Sequence, residues 1–74
     1  MPNKLPVLKT KEVERILLKL GFTPKRKRGS HLILERKEKL VVLPVHEGRD
    51  LPKGTLNNIL KEAGIKKKDF LKFL

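Results

Sequence analysis

The chain has 74 residues and no cysteine, and its 19 lysines and arginines outnumber its 8 aspartates and glutamates to give a formal net charge of +11. This length predicts one small domain over residues 1–74 with too little core to enclose a large pocket, so any site should lie on a shallow surface. The missing cysteines exclude disulfides and thiolate zinc sites, and the positive charge favours a polyanionic partner.

The first predicted element is an amphipathic helix over about residues 11–20. Thr10 is the predicted N-cap, and Gly21 is predicted to take the left-handed conformation that ends the helix. Residues 1–8 lack the apolar core of a secretory signal, which predicts a cytoplasmic protein. The Leu-rich segments are short and lie between polar turns, so no membrane association is predicted. The apolar positions of the helix recur on one stripe at helical spacing: Val13, Ile16, Leu17 and Leu20.

Two strands joined by a tight turn are predicted next. Pro24 and the cations after it cannot continue an amphipathic helix, so residues 23–28 are predicted to form an edge strand. Gly29-Ser30 is typical of a hairpin turn, and residues 31–36 are predicted to form the second strand. The alternation of this strand places Leu32, Leu34 and Arg36 on one face, and His31, Ile33 and Glu35 on the other.

A third strand is predicted over residues 40–45, after a polar turn at residues 36–39. This segment is dense in branched apolar residues, and the strand is predicted to end around Pro44. The five residues from His46 to Asp50 are predicted to form a loop. Glu47 and Asp50 are weak evidence for a magnesium site, since no further carboxylate lies near them in the sequence.

A second helix follows, and its start has two candidates in the sequence. Pro52 could be the first helical residue, or Thr55 could be the N-cap, and Gly64 is predicted to end the helix. A short terminal helix is predicted from about Lys66. The second helix presents Leu56, Ile59, Leu60 and Ala63 on one side, and the terminal helix offers Phe70, Leu71, Phe73 and Leu74 for packing.

The predicted order is therefore helix, three antiparallel strands and helix, with a short helical appendage. Two helices on one face of a three-stranded antiparallel sheet form an α+β sandwich. This arrangement resembles the double-stranded-RNA-binding-domain fold. Its other sheet face is predicted to be open to solvent.

The tripeptide Gly29-Ser30-His31 follows four consecutive cations, which suggests ribonuclease chemistry. Histidine transfers protons near neutral pH, and a nucleic-acid backbone binds cations. RNA carries its own nucleophile, the 2′-hydroxyl, so no metal or cofactor is needed. His31 is the candidate general acid or base. The candidate RNA-binding residues are Lys25, Arg26, Lys27, Arg28 and Ser30.

Each of these residues also has a structural interpretation. His31 could be a surface residue at the start of a strand, and a cationic edge strand also prevents aggregation. Regular alternation would place Lys25 and Lys27 on one side of the strand and Arg26 and Arg28 on the other, so about two of the four cations should contact one RNA.

Short motifs run along nearly the whole chain: Leu5-Pro6-Val7, Leu20-Gly21-Phe22, Gly29-Ser30-His31, Pro44-Val45-His46, and Lys53-Gly54-Thr55-Leu56 leading through Ile59-Leu60 to Ala63-Gly64-Ile65. In this order and spacing they resemble the HicA-type toxins, which are the mRNA interferases of toxin–antitoxin pairs. The resemblance implies endoribonuclease activity on mRNA, a catalytic role for His31, and a HicB-type antitoxin that covers the active surface.

The chain departs from this family at one position. Many relatives carry two histidines after the Gly-Ser pair, whereas Leu32 occupies the second position here. His46 matches a later histidine of the family, and a role in shaping its loop is the simpler interpretation. Two rival functions remain open from the sequence: a non-catalytic RNA-binding module, and a basic adaptor that binds an acidic protein surface.

Overall fold

The computed structural model describes residues 6–45 and 48–74. Leu5, His46 and Glu47, which entered the sequence predictions, lie outside these ranges. The elements in chain order are β1 (Leu8–Lys9), α1 (Thr10–Lys19), β2 (Thr23–Arg28), β3 (His31–Arg36), β4 (Lys39–Pro44), β5 (Asp50–Leu51), α2 (Lys53–Ala63) and α3 (Lys67–Leu71). Strands β2, β3 and β4 form an antiparallel sheet in that order, which confirms the predicted α+β class.

The core lies between the helices and one face of this sheet. Strand alternation directs Leu34 of β3 and Val41 and Leu43 of β4 inward, where all three side chains are fully buried. The helices complete the core with one apolar stripe each. The buried residues of α1 are Thr10, Val13, Ile16 and Leu17, and those of α2 are Leu56, Ile59, Leu60 and Ala63.

Helix α1 begins one residue earlier than predicted, so the prediction of Thr10 as its N-cap is wrong. The capping position belongs to Lys9, whose side chain makes no capping hydrogen bond. Strand β1 runs directly into the helix, which makes Thr10 the first helical residue with a side chain only 4% exposed. A threonine packed against the core is not placed to cap the helix from outside.

Both long helices end at a left-handed glycine, as predicted. Gly21 has a φ of +100°, and the Phe22 N–H donates to the Leu17 carbonyl at 3.0 Å, which satisfies one of the last carbonyls of α1. Gly64 ends α2 in the same way, with a φ of +72°. The residue after each glycine turns back toward the core.

The β3–β4 hairpin lies beside both helix ends. The Arg36 side chain passes Gly21, and the end of the Lys39 side chain passes Gly64. A Cβ added at Gly21 would lie 3.5 Å from Arg36 Nε, and one added at Gly64 would lie 3.4 Å from Lys39 Cε. These cations therefore lie near the negative ends of the two helix dipoles, where positive charge is stabilising.

The start of α2 differs from both predictions. Pro52 is extended, with φ of −58° and ψ of 142°, and its carbonyl accepts a hydrogen bond from the Leu56 N–H at 3.0 Å. Proline therefore precedes the helix, and Thr55 lies inside its first turn. In the terminal segment Phe70 is fully buried as predicted, whereas Phe73 and Leu74 remain exposed.

A second, two-stranded sheet was missed by the sequence analysis. Leu8 of β1 pairs with Leu51 of β5, and both side chains are buried. Asp50, predicted to lie in a loop, belongs to β5, and its carboxylate lies 3.5 Å from the Lys9 ammonium.

None of the helices in residues 6–45 and 48–74 is long and apolar enough to cross a membrane.

Candidate nucleic-acid interface

The Gly29-Ser30 turn fixes the position of His31. Gly29 has a φ of +58° and Ser30 does not have a positive φ, which is the pattern of a type II′ hairpin turn with glycine first. The Val45 N–H donates to the Ser30 carbonyl at 2.6 Å, so β4 continues to pair with the turn. The start of β3 is therefore held from both sides.

The side of the β2–β3–β4 sheet that faces away from the helices is called the open face here. Its residues form three rows across the strands: Arg28, His31 and Pro44; Arg26, Ile33 and Val42; Thr23, Glu35 and Leu40. Because neighbouring strands lie about 4.8 Å apart, each row is about 10 Å wide. Successive rows are about 7 Å apart along the strands.

His31 lies at the centre of the first row and is exposed. Arg28 faces it from β2, and Pro44 faces it from β4. The hydrogen bond from Val45 to Ser30 makes these two residues a hydrogen-bonded pair of the antiparallel ladder. The next pair, His31 and Pro44, is therefore a non-hydrogen-bonded pair. Proline has no N–H, and none is needed at this position. Side chains at such a non-hydrogen-bonded pair are close together, with Cβ atoms about 5 Å apart.

The position after His31 lies on the other side of the sheet. Leu32 is half-buried and packs against the core. A histidine at this position would project away from the open face, because adjacent strand residues alternate. The leucine here therefore removes no side chain from the open face around His31.

The four cations of β2 do not share one face. Arg26 and Arg28 pair with Ile33 and His31 and so belong to the open face, whereas Lys27 pairs with Leu32 on the helix side. All four side chains are exposed. Two of the four cations therefore lie on the face that carries His31.

The prediction that Lys25 shares a side with Lys27 is wrong. The register of β2 shifts between Pro24 and Arg26, which places Lys25 in a bulge. Its ammonium lies 3.4 Å from a carboxylate oxygen of Glu35, a residue of the open face. Both side chains are nearly half exposed, so the ion pair contributes about 0–1 kcal/mol to the stability of the fold. Its main effect is to hold the Lys25 ammonium beside a carboxylate.

An apolar strip along β4 was missed by the sequence analysis. Leu40 and Val42 are 51% and 46% exposed on the open face, beside the half-buried Ile33. The sequence did contain a signal: Leu40-Val41-Val42-Leu43 is apolar at every position, whereas a strand with one solvated face normally alternates. We call Ile33, Leu40 and Val42 the aliphatic shelf.

The open face therefore changes character from one edge to the other. Its β2 edge is cationic, its central strand carries His31, and its β4 edge is aliphatic. Within residues 6–45 and 48–74, no three His, Cys, Asp or Glu side chains come together as a metal site would require. The candidate residues Arg26, Arg28 and His31 are brought together, while Ser30 is exposed in the adjoining turn.

The comparison with protein families gives one match over most of the chain. A family model described as "HicA toxin of bacterial toxin-antitoxin" matches residues 10–65. The matched segment contains α1, the three-stranded sheet and α2, and with them the whole open face. No curated protein matches the chain.

Proposed function

The chain belongs to the HicA toxin family, and from this premise we propose that it is a metal-independent endoribonuclease that cleaves mRNA with His31 as its proton-transfer residue. Membership makes it a toxin of a toxin–antitoxin system. The nuclease activity, the substrate and the role of His31 are the proposal. The observation that carries it is an exposed histidine in the same row as Arg28 on a cationic sheet face.

The proposed reaction is a transesterification within the RNA strand. The 2′-oxygen attacks the adjacent phosphorus, the bond from phosphorus to the 5′-oxygen breaks, and the 2′-proton is lost as the leaving 5′-oxygen gains one. The products are a 2′,3′-cyclic phosphate and a 5′-hydroxyl. His31 acts in these proton transfers as general base or general acid, and exposure gives it the access to RNA that this role requires.

The cations stabilise charge at the phosphate. Arg28 faces His31 directly across the strand pair, so a phosphate held by its guanidinium would lie next to the imidazole. Arg26 is two residues away on the same face and is placed to hold the neighbouring phosphate. Ser30 could donate its hydroxyl to a phosphate oxygen from the turn. Lys25 and Lys27 add to the attractive field.

The proposal includes the biological setting of the enzyme. The chain acts as one domain over residues 1–74, free as a monomer, in the cytoplasm. A HicB-type antitoxin covers the open face and blocks access to His31. A cationic face of this kind favours an antitoxin surface that is rich in carboxylates.

The test is an incubation of the purified protein with RNA in the presence of EDTA. We expect cleavage that leaves a 5′-hydroxyl and a cyclic phosphate, and we expect His31→Ala to abolish it while His46→Ala, the matched histidine variant, retains activity. Cleavage that survives His31→Ala, or that EDTA abolishes, contradicts the proposed mechanism. RNA that is bound tightly and recovered intact would instead identify a non-catalytic RNA-binding module.

A further inference from the structure

The aliphatic shelf has no role in the proposed chemistry, although it lies beside the residues that carry it. Leu40 and Val42 are about half exposed and share the open face with Ile33. A small basic protein gains nothing in solubility from exposed branched side chains. Leu40 and Val42 are neighbours on the same face of β4, which suggests an apolar ligand surface.

We infer that the aliphatic shelf binds the faces of unpaired bases, which makes the site selective for single-stranded RNA. This inference rests on the proposed function and names the structural class of its substrate. The second row of the open face shows the arrangement, because Arg26, Ile33 and Val42 lie next to one another across the three strands.

Across the second row, the order of chemical character matches the order within a nucleotide, because Arg26 is cationic whereas Ile33 and Val42 are apolar. A phosphate on Arg26 would place the ribose over Ile33 and the base over Val42. In the first row, a phosphate on Arg28 would place the ribose over His31 and the base over Pro44. The two strand spacings from β2 to β4 span about 10 Å, close to the distance from the phosphate of a nucleotide to the far side of its base.

The spacing along the strands also fits an extended RNA strand. Arg26 and Arg28 are two residues apart on the same side of β2, which separates them by about 7 Å. This is close to the distance between successive phosphates in an extended single strand. Two neighbouring nucleotides can therefore occupy two neighbouring rows.

A duplex cannot use the aliphatic shelf. Paired bases are stacked inside an A-form helix, which presents phosphates, riboses and the edges of its bases to a protein. Contact with such a surface would leave Leu40 and Val42 against polar groups and would bury them without a favourable partner. Unpaired bases have apolar faces, and their contact with the shelf removes apolar area of both partners from water.

The test uses a non-cleaving background and replaces the shelf without changing charge. Leu40→Thr/Val42→Thr is introduced into His31→Ala, since threonine is favourable in strands and both positions are exposed. The matched control is Leu18→Thr in the same background, which alters an exposed leucine of α1 away from the sheet. Binding of a fluorescent single-stranded oligoribonucleotide and of its duplex is measured by anisotropy at one salt concentration.

We expect the His31→Ala protein to prefer the single strand, and we expect the double substitution to weaken single-strand binding about five- to tenfold with little change for the duplex. The Leu18→Thr control should bind both RNAs as before. Equal loss for both RNAs, or no loss for either, overturns the inference; unchanged RNA binding would assign the shelf to a protein contact instead.

This measurement separates the inference from the proposed function. Binding is read without cleavage, so the shelf is tested even if the protein proves not to be a nuclease. A second experiment uses the protein that carries only the double substitution, with His31 intact. If this protein still cleaves RNA and still prefers single strands, the nuclease proposal stands and the inference that the shelf binds bases is refuted. Failure of every form to bind RNA would refute both.

Discussion

Arg28 and Lys27 are neighbours on one strand and carry the same charge, yet they should differ in their contribution to RNA binding. Arg28 faces His31 on the open face, whereas Lys27 faces Leu32 on the helix side. We expect Arg28→Gln to weaken RNA binding and cleavage strongly, and Lys27→Gln to weaken both only slightly. Each substitution removes one positive charge, so the general field of the protein falls equally in both variants.

The expected magnitude follows from a single phosphate contact. A hydrogen bond to a charged group contributes about 1.5–3 kcal/mol, and an exposed site favours the lower end of that range. Loss of the Arg28 contact should therefore weaken binding about tenfold. It should also reduce the slope of log affinity against log salt by about 0.7, the value for one phosphate of a single strand. For Lys27→Gln we expect less than about a threefold loss, because only the field changes.

The assay is a salt titration of RNA binding in the His31→Ala background, followed by cleavage rates with His31 restored. Both cations are exposed, so neither substitution should change the free energy of unfolding by more than about 0.5 kcal/mol. A thermal melt of each variant checks this. Equal losses of affinity in the two variants would refute the reasoning, because they would show that RNA responds to total charge and not to the face of the sheet.

Three further predictions concern the sheet. Glu35→Gln should raise RNA affinity about two- to fourfold, measured by anisotropy, because it removes a carboxylate from the open face and frees Lys25; an unchanged affinity would show that neither group affects RNA binding. Lys37→Gly should raise the melting temperature by a few degrees, since Lys37 has a φ of +54°, whereas Glu38→Gly in the same turn should lower it. Leu34→Ala should cost about 2–5 kcal/mol in urea unfolding, because its side chain is fully buried; a loss below about 1 kcal/mol would contradict that packing.

Much of the fold was predictable because its signals are local. Helix α1 has a regular apolar stripe and a glycine after it, and the proline at position 24 excluded a helix where β2 forms. The start of β3 follows from the Gly29-Ser30 turn. These elements are specified by residues within a few positions of each other, so local sequence patterns are enough to predict them.

The missed features depend on contacts between distant segments. Strands β1 and β5 have two residues each and form only because Leu8 and Leu51 are brought together by the core. The same pairing carries the chain straight into α1 and so turns Thr10 from a cap into a buried residue. No pattern within either segment shows this.

The sequence analysis named the candidate residues of the site, but it did not predict how they are arranged on the sheet. His31 and the basic run are visible in the sequence, and alternation places Arg26 and Arg28 on one side of β2. That this side also carries His31 follows only from the pairing of β2 with β3. The bulge at Lys25 breaks that alternation, and it becomes visible only when β2 is aligned with β3. The aliphatic shelf had a signal in the unbroken apolar run of β4, which was used only to predict a strand.

The turn of the β3–β4 hairpin places two cations at the end of the sheet that lies farthest from His31. Arg36 and Lys39 lie beside the glycines that end α1 and α2, where positive charge favours the helix dipoles. At the opposite end of the sheet, the cations of the open face are Arg26 and Arg28. Raising the ionic strength should lower the affinity for RNA at one end of the sheet. At the hairpin end it should weaken the interaction of Arg36 and Lys39 with the helix dipoles, so RNA binding and folding should depend on salt through different side chains.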